Sequence, residues 1–348
     1  MKKVDFRSDT VSWPTEKMRR AMASAEVGDD VYGEDPTVNR LEALAAERLG
    51  KEAGLFVASG TMGNLVAILS HAGRGDEAIV GRDAHTISWE AGGMAVLGGV
   101  VPQPLATDAN GCMDLQELVQ AIRPDNVHLP RTRLILLENS YGAKAGAAVP
   151  VDYFKQIATI AAEHDLRVHL DGARLFNAAV ALDVAPAAIT RHVDSVSVCL
   201  SKGLCAPVGS VLCGSESFIH QARRTRKLLG GGMRQAGVIA AAGLVALEEM
   251  VERLPEDHAH ARLLAEKLVS LPGIHVDPER VRTNIVFFSL REEVPLTAPE
   301  VARRLQEEFG IWIGARGERN FRAVTHYWIG PPQVERLVDG LRRVLDEG

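Results

Sequence analysis

Two hydrophobic periodicities alternate along the chain and predict its secondary structure. Short apolar runs rich in β-branched residues predict buried strands at 54–58, 77–80, 98–104, 132–137, 168–170, 195–200 and 209–213. Apolar residues at helical spacing separate most of these runs, and Thr15 and Thr37 are the predicted N-caps of two early helices. Strands that alternate with helices predict an α/β domain with a mainly parallel central sheet flanked by helices. A short loop joins the last two runs, so we expect that pair to be antiparallel.

The pattern changes near residue 250 and predicts a second, smaller unit. An alanine-rich helix is expected over 236–254, ending at Pro255. Later elements are expected at 257–271 (helix), 284–290 (strand), 298–309 (helix), 310–314 (strand), 322–328 (strand) and 332–345 (helix). A chain of 348 residues exceeds the ~250–300 at which a single core stops growing. We therefore predict an N-terminal arm (1–14), a large α/β domain (15–250) and a small C-terminal α+β domain (251–348).

Composition narrows the class of protein. Hydrophobic residues make up 46% of the chain and charged residues 24%, as in globular proteins, and the formal net charge is −6. This acidic balance argues against a nucleic-acid or anionic-membrane partner. The four cysteines lack the spacing of a zinc site, so no metal is predicted. No secretory segment is recognised and no apolar run reaches ~18 residues, so we expect a cytoplasmic protein without a membrane span.

Polar residues stand directly after two of the predicted strands. Asp171 follows one strand, and Ser201 and Lys202 follow the next. The carboxyl ends of parallel strands meet at one edge of a sheet, where ligands bind. A lysine and a carboxylate at that edge suit pyridoxal phosphate, which needs a lysine for a Schiff base and an acidic partner for its pyridinium nitrogen. An ion pair between Asp171 and Lys202 would account for the same residues, and this segment alone leaves both interpretations open.

Two further motifs point to the same edge of the sheet. Ser59-Gly60-Thr61 lies between a strand and a helix, where backbone N–H groups can bind a phosphate. A simple capped helix start is an equal alternative for that motif. His85, in Asp83-Ala84-His85, ends another strand. Polar groups that converge at one sheet edge favour a ligand site over an isolated ion pair.

Seven segments together resemble one known family: 7–11, 28–37, 59–64, 169–174, 200–210, 230–237 and 322–326. They span nearly the whole chain, and their combination resembles the low-specificity L-threonine aldolases (L-allo-threonine aldolases), fold type I pyridoxal-phosphate enzymes of the aspartate-aminotransferase-like superfamily. The resemblance implies retro-aldol cleavage of L-threonine, L-allo-threonine and related β-hydroxy-α-amino acids to glycine and an aldehyde. It also implies pyridoxal 5'-phosphate as cofactor and a homo-oligomer, expected to be a tetramer of dimers with shared active sites.

The resemblance assigns cofactor roles residue by residue. Lys202 would form the Schiff base, and Asp171 would keep the pyridine nitrogen protonated. His85 would stack on the ring and serve as, or position, a general base, although a lone histidine is more often structural. The residues implied to bind the phosphate are Ser59, Gly60, Thr61 and Ser201. A neighbouring subunit would add Lys227 and Arg234, with a solvated helix face as the alternative for the basic cluster at 223–227.

Substrate roles follow from the same resemblance. Ser8, Arg174 and Arg322 would bind the amino-acid carboxylate, a task that suits the guanidinium fork. Arg174 would border the cofactor as well, and an ordinary exposed strand residue is the alternative for Arg322. His128 would lie near the β-substituent as a second candidate for the base. Tyr32 would border the site.

One segment departs from the family pattern. Where the family usually carries Glu-Asn-Thr-His, this chain carries Glu138-Asn139-Ser140-Tyr141. A phenol thus replaces an imidazole close to where His128 is expected, which leaves the β-substituent preference and threo/erythro selectivity open without affecting the cofactor chemistry. Trp89, where relatives often have tyrosine, is a milder change. The rival interpretations are a β-eliminating lyase or an aminotransferase on the same fold, and a non-catalytic relative that binds an amino acid.

Overall fold

The computed structural model describes residues 3–347. Its strands, numbered in chain order, are β1 (Val4–Asp5), β2 (Ala53–Val57), β3 (Asp76–Gly81), β4 (Val101–Leu105), β5 (Arg131–Glu138), β6 (Arg167–Asp171), β7 (Ser195–Cys199), β8 (Ser210–Gly214), β9 (Ile274–Val276), β10 (Ile285–Leu290), β11 (Ile311–Trp312), β12 (Gly314–Arg316) and β13 (Asn320–Val324).

The α-helices are numbered in the same way. They are α1 (Glu16–Ala23), α2 (Pro36–Leu49), α3 (Gly60–His71), α4 (His85–Ser88), α5 (Gly93–Val96), α6 (Leu115–Ala121), α7 (Val151–Glu163), α8 (Leu175–Leu182), α9 (Pro186–Thr190), α10 (Glu216–Leu228), α11 (Gly237–Val245), α12 (Leu254–Val269), α13 (Ala298–Phe309) and α14 (Pro331–Asp346). No helix within residues 3–347 has the length and apolar character that a membrane span requires.

Seven strands form the central sheet, in the order β2-β8-β7-β6-β5-β3-β4. From β7 to β4 every pairing is parallel. Strand β8 is antiparallel to both of its neighbours, which confirms the predicted antiparallel pair. The predicted α/β class with a mainly parallel sheet is also confirmed. Because β3, β5, β6 and β7 run in one direction, their carboxyl ends meet at one edge of the sheet.

Alternate residues of the buried strands face two different hydrophobic layers. Ile135 and Leu137 of β5 pack in the layer that includes α2, α7, α8 and α11. Leu134 and Leu136 of the same strand face the opposite side, where α3 and α10 pack over the neighbouring part of the sheet. The sheet is therefore covered by helices on both faces, as a mainly parallel sheet requires.

A second sheet and a second core lie toward the carboxyl end of the chain. The four-stranded sheet has the order β12-β13-β10-β9 with antiparallel pairing throughout, and its core includes residues of α12, α13 and α14. Val4 and Phe6 belong to this core, and β1 pairs in parallel with β11. The N-terminal arm is therefore packed against the C-terminal unit, and we keep the division near residue 250 as a proposal.

Several predicted boundaries differ from the structure. Thr15 is the N-cap of α1, as expected. The N-cap of α2 is Asp35, two residues before the predicted Thr37, because Asp35 accepts hydrogen bonds from the first turn and Pro36 suits the first helical position. The predicted helix 236–254 is interrupted by a π-helical turn (Ala246–Met250), and Pro255 lies in the first turn of α12 instead of ending a helix. The last predicted strand, 322–328, ends at Val324.

Candidate active site

A cavity of about 380 Å³ opens at the carboxyl edge of the central sheet. Six residues predicted for the site line it: Ser8, His85, Asp171, Arg174, Lys202 and Arg322. The remaining lining residues are Thr10, Asp83, Trp89, Glu138, Gly142, Ala143, Ala173 and Arg316. A larger cleft of about 1000 Å³, bordered by α8 and α12, contains none of the predicted residues. The chemistry therefore concentrates in the smaller cavity.

Asp171 and Lys202 lie in this cavity without pairing with each other. Asp171 ends β6 and is 3% exposed. Its Oδ2 accepts a hydrogen bond from Asn64 Nδ2 at 2.9 Å, and its Oδ1 accepts one from the backbone N–H of Ala173 at 3.0 Å. Within residues 3–347 the Lys202 amine makes no ion pair, and its backbone carbonyl accepts a hydrogen bond from Ser12. The isolated ion-pair interpretation therefore does not describe this site.

His85 is anchored through two different groups. It is the first residue of α4, and its backbone N–H donates to Glu138 Oε2 at 2.9 Å. Its Nδ1 lies 2.8 Å from Glu90 Oε1. The hydrogen bond to Glu90 raises the pKa of His85, and burial raises the pKa of Glu90. Because the Glu90 carboxylate accepts a hydrogen bond from Nδ1–H, the Nε2 atom of a neutral His85 is left to accept a proton.

The amide of Asn64 joins the two buried carboxylates. Its Nδ2 donates to Glu90 Oε1 at 2.8 Å and to Asp171 Oδ2 at 2.9 Å. His85, Glu90 and Asp171 each place one candidate ligand atom within 4.8 Å of the others, close enough to share a cation. The amide N–H groups instead satisfy one oxygen of each carboxylate, which is how buried charges are normally stabilised.

Arg174 precedes α8 and is held by a carboxylate from the N-terminal arm. Its Nε and Nη2 donate to the two oxygens of Asp9 at 2.7 and 2.6 Å, and Asn284 adds a third bond to Asp9 at 3.2 Å. Burial alone would raise the pKa of Asp9, but the Arg174 guanidinium outweighs it and holds that pKa well below its usual range. Arg174 is thus a fixed, paired cation at the wall of the cavity.

Arg322 lies beside Arg174 with fewer partners. Its Nη1 donates to the backbone carbonyl of Arg7 at 3.3 Å, and its buried Nε has no hydrogen-bond partner among the described atoms. Burial, and then the nearby Arg174, lower the pKa of Arg322 to about 10. A guanidinium with a free buried donor fits a ligand carboxylate.

Glu138 is a cavity residue to which no role was assigned from the sequence. It ends β5, and its two oxygens accept the backbone N–H groups of His85 and Gly142. Burial, and then the Asp171 carboxylate, raise the pKa of Glu138 to about 7. Glu138 therefore ties the start of α4 to the strand end that borders the cavity.

The Ser59-Gly60-Thr61 turn forms the start of α3. Ser59 is the N-cap, and its side chain accepts the backbone N–H of Met62 at 3.1 Å. A Cβ atom on Gly60 would lie 2.8 Å from the Cys199 sulfur, so a side chain at this position would displace α3 from the sheet. Ser59, Gly60 and Thr61 are not among the residues that line the 380 Å³ cavity. Ser201 is half-buried and precedes the lining residue Lys202 in the chain, but does not itself line the cavity.

Four further predicted site residues, besides those at the start of α3 and Ser201, lie outside the lining of the cavity of their own chain. Tyr32 is 76% exposed, and Arg234 pairs with Asp29 at 2.9 Å. Lys227 lies on the exposed side of α10. His128 precedes β5, whose eight residues span about 26 Å. His128 is thus at the opposite edge of the sheet from the cavity. Any role for these four residues requires a second copy of the chain and stays a prediction.

Tyr141 does not face the cavity either. It is 2% exposed, and a Cβ atom on Gly81 or Gly111 would lie within 2.5 Å of its hydroxyl or its ring. Within one chain Tyr141 and His128 lie at opposite ends of β5. The expectation that this phenol lies beside His128 is therefore not met inside a single chain. The segment after β5 folds back on itself through a β-bridge between Tyr141 and Ala147.

Sequence reasoning assigned no role to four residues that position the site: Asp9, Asn64, Glu90 and Glu138. Asp9 and Asn64 lie inside motifs that resemble the family, and Glu90 follows His85 by five residues. Their spacing alone carried no signal, because each acts through a partner at least five positions away in the chain. Contacts of that kind depend on tertiary structure.

Similarity to known proteins agrees with this geometry. Residues 5–292 match the family model described as Beta-eliminating lyase. Low-specificity L-threonine aldolase 1 of Arabidopsis thaliana is 47% identical over 348 residues, with 99% of this chain and 97% of that protein covered. Low specificity L-threonine aldolase of Escherichia coli K12 is 48% identical over 290 residues, with 83% and 85% covered.

Solved structures show the same architecture. A threonine aldolase from Leishmania major has a TM-score of 0.81 at 21% identity, with 98% of this chain and 99% of that chain covered. A serine palmitoyltransferase from Sphingomonas wittichii has a TM-score of 0.75 at 18% identity, with 98% and 86% covered. These matches confirm the predicted fold type I architecture. The family-model match over residues 5–292 and the full-length relatives near 47% identity show that the chain belongs to the beta-eliminating lyase family and, within it, to the low-specificity L-threonine aldolases.

Proposed function

We propose that this protein is a pyridoxal-phosphate-dependent aldolase that cleaves L-threonine, L-allo-threonine and related β-hydroxy-α-amino acids to glycine and acetaldehyde or the matching aldehyde. The observation that carries the proposal is that one cavity brings together Lys202, whose amine makes no ion pair within residues 3–347, a buried carboxylate, Asp171, and two guanidinium groups, Arg174 and Arg322. Amine, carboxylate and guanidinium groups are what a pyridoxal-phosphate site for an amino acid requires.

The residues present fit the cofactor. Lys202 offers the amine that would hold it, and Asp171 offers an oxygen for the pyridinium N–H. The start of α3 offers backbone N–H groups for the phosphate, at Gly60 and Thr61, and Ser201 adds a hydroxyl. A Cβ on Gly60 would fill the space next to Cys199, so the absence of a side chain there keeps this helix start close to the sheet edge.

The arginines bind and orient the substrate. Arg322 brings a buried Nε that has no partner among residues 3–347, and Arg174 is held in place by its bidentate bond to Asp9. Ser8, beside them in the cavity, adds a hydroxyl. A carboxylate bound to this group fixes the amino acid, so the orientation of its Cα–Cβ bond is set by the protein. Positioning of this kind is worth about 7–11 kcal/mol of the barrier in favourable cases.

The proton of the β-hydroxyl is taken by a base at the cavity wall. His85 is suited to this task because Glu90 occupies its Nδ1 and leaves Nε2 as the accepting atom. A water held by His85, or the His128 of a neighbouring copy, is the alternative base. Once the hydroxyl proton is removed, the Cα–Cβ bond breaks and the aldehyde leaves. Cα then takes up a proton, which the protonated base can return, and the product is glycine. When bound, pyridoxal phosphate supplies the electron sink for that bond.

We further propose a homo-oligomer, a tetramer built of dimers that share active sites, in the cytoplasm. In this arrangement a neighbouring copy supplies Tyr32, His128, Lys227 and Arg234, which lie outside the cavity of their own chain. The absence of a helix suited to a membrane span within residues 3–347 is consistent with the proposed location. Sedimentation of the holoenzyme tests the tetramer.

The decisive experiment incubates the purified holoenzyme with L-allo-threonine and measures acetaldehyde and glycine. The Lys202→Ala variant should lose both the products and the visible absorption of the lysine-bound cofactor. Lys267→Ala, which alters a surface lysine on α12, should retain both. Release of ammonia and a 2-oxo acid in place of acetaldehyde would instead indicate β-elimination or a related reaction. Activity that survives in Lys202→Ala would contradict the whole scheme.

A further inference from the structure

The face of β6 and β7 that α3 covers is polar, although it is buried. His169 and Asp171 alternate along β6, and Ser195 and Ser197 lie opposite them in register on β7. All four are at most 3% exposed. Their neighbours along the strands, such as Val168 and Val196, face the hydrophobic layer on the other side of the sheet. Buried polar groups are costly unless they are hydrogen-bonded, so a polar layer at this place requires a reason.

A continuous chain of hydrogen bonds runs through this layer. Asn64 Oδ1 lies 3.1 Å from His169 Nε2, and His169 Nδ1 lies 2.8 Å from Ser195 Oγ. Ser195 Oγ in turn lies 2.7 Å from His71 Nε2. Asn64 and His71 are seven residues apart in α3, so both project from the same face of the helix toward the sheet. This chain of hydrogen bonds therefore runs from Asn64, which contacts the cavity residue Asp171, to His71, the last residue of α3.

With both carboxylates ionised, one arrangement of hydrogens satisfies the members of this chain of hydrogen bonds. The two N–H groups of Asn64 are committed to Glu90 and Asp171, because an ionised carboxylate can only accept. Asn64 Oδ1 must therefore accept from His169 Nε2–H. His169 Nδ1 then has no hydrogen and accepts from the Ser195 hydroxyl. Ser195 in turn accepts from His71.

Both histidines are neutral, as this arrangement requires. Burial, and then the nearby His71, lower the pKa of His169 to about 3. Burial lowers the pKa of His71 to about 4, and its ring stacks on Phe218 at a centroid distance of 4.4 Å. A neutral His169 has one donor and one acceptor nitrogen, so its tautomer is decided by its two neighbours.

We infer that His169, Ser195 and His71 are positioning residues, which hold the Asn64 amide in the one orientation that donates to the Asp171 carboxylate. The inference rests on the proposed function, in which Asp171 faces the pyridine nitrogen of the cofactor. Without the Ser195 hydroxyl, His169 is free to carry its hydrogen on Nδ1. In that tautomer Nε2 no longer donates to Asn64 Oδ1, so the Asn64 amide loses the bond that fixes its orientation toward Asp171.

The size of the effect follows from the bond that is lost. A hydrogen bond to a charged group contributes about 1.5–3 kcal/mol, which corresponds to about a 10- to 100-fold change in an equilibrium or a rate. We expect Ser195→Ala and His169→Leu to lower kcat at least about tenfold while KM for L-allo-threonine stays within about twofold, because neither residue touches the substrate carboxylate. The visible absorption bands of the bound cofactor should change in relative intensity.

Three variants and a control separate positioning from packing. Ser195→Ala and His169→Leu interrupt the chain of hydrogen bonds, whereas His169→Gln keeps a donor for Asn64 and an acceptor for Ser195. Thr190→Val removes a buried hydroxyl that donates to the Leu49 carbonyl, far from the cavity. All four are compared as holoenzymes for kcat, KM, the visible spectrum, thermal stability and retention of cofactor in equilibrium dialysis.

The expected result is that Ser195→Ala and His169→Leu change the spectrum and kcat, that His169→Gln recovers most of both, and that Thr190→Val changes thermal stability alone. Unchanged spectra and kcat within about twofold in both chain-breaking variants would overturn the inference, even if their stability falls. Should His169→Leu fail to fold, Ser195→Ala decides the question by itself. Failure of the proposed function shows separately, as absence of acetaldehyde from the unmodified holoenzyme.

Discussion

The buried pair of Asp9 and Arg174 offers the sharpest test of how the N-terminal arm supports the site. The change is Asp9→Asn, which keeps the shape of the side chain and removes its charge. Asp9 is fully buried, and the Arg174 side chain is 9% exposed. The oxygen of an asparagine can accept a hydrogen bond from one of the two guanidinium N–H groups. Its own NH2 group would face the other N–H group, and two donors cannot form a hydrogen bond. Arg174 would thus remain as a buried cation without a counter-charge.

The magnitude follows from this geometry. Removing one partner of a buried ion pair costs about 3–5 kcal/mol, because the remaining charge is desolvated without compensation. Since one of the two bonds survives in the amide, we expect a loss near 3 kcal/mol in the free energy of unfolding. The folded-state pKa of Asp9 is depressed, so its contribution is present above the unfolded value of 3.8 and is lost as pH falls through the lower folded value. The full loss is therefore expected at pH 7.

The assay is urea unfolding at fixed protein concentration and pH 7, together with KM for L-allo-threonine. Glu335→Gln serves as the matched control, because Glu335 pairs with Lys267 at 2.7 Å while both side chains are at least a third exposed. An exposed pair of this kind contributes about 0–1 kcal/mol. Asp9→Asn should also raise KM, since Arg174 is no longer held toward the substrate.

A double variant distinguishes charge from packing. Asp9→Asn combined with Arg174→Met removes both charges and should be more stable than Asp9→Asn alone, although it should bind substrate poorly. The reasoning is refuted if Asp9→Asn unfolds within about 1 kcal/mol of the unmodified protein, or if it costs no more than Glu335→Gln.

Two further predictions concern the strand ends and the helix that border the cavity. Because burial and the Asp171 carboxylate raise the pKa of Glu138 from 4.5 to about 7, its contribution to stability is present below pH 4.5 and is lost as pH rises through about 7. Glu138→Gln should therefore remove a fall in the urea midpoint over that pH window. Gly63→Ala should destabilise the protein, because the new Cβ would lie 2.3 Å from Ser197 Oγ. Overpacking of this kind costs about 1–3 kcal/mol of stability, whereas the higher helix propensity of alanine contributes about 1 kcal/mol.

Each of these predictions has its own control. For Glu138, the measured quantity is the slope of the urea midpoint against pH. Glutamine also disturbs the hydrogen bonds to His85 and Gly142, so a difference in midpoint that is the same at every pH does not test the prediction. Identical slopes in the two proteins would show that Glu138 does not carry the pH dependence. For Gly63, the double variant with Ser197→Ala should recover stability. A Gly63→Ala protein that is more stable than the parent would show that α3 has room to move from the sheet.

The chemistry of the site was readable in the amino-acid sequence because it depends on local order. A buried strand followed at once by a polar residue predicts a group at the sheet edge, and this pattern located Asp171, Lys202 and His85. The alternation of apolar and polar residues in β6 and β7 also predicts which side chains share a face. Those periodicities are properties of neighbouring residues, so the chain order alone specifies them.

The partners of these groups were decided by the tertiary structure. Asp9 meets Arg174 across 165 positions of the chain, and Asn64 meets Asp171 across 107. No spacing rule connects residues so far apart, and the choice between an isolated ion pair and a shared cavity depended on those contacts. Boundaries such as the start of α2 depended on which of two side chains two positions apart, Asp35 or Thr37, reaches the free N–H groups. Local periodicity specifies a face, whereas the packing of α3 and the N-terminal arm onto the sheet determines what that face meets.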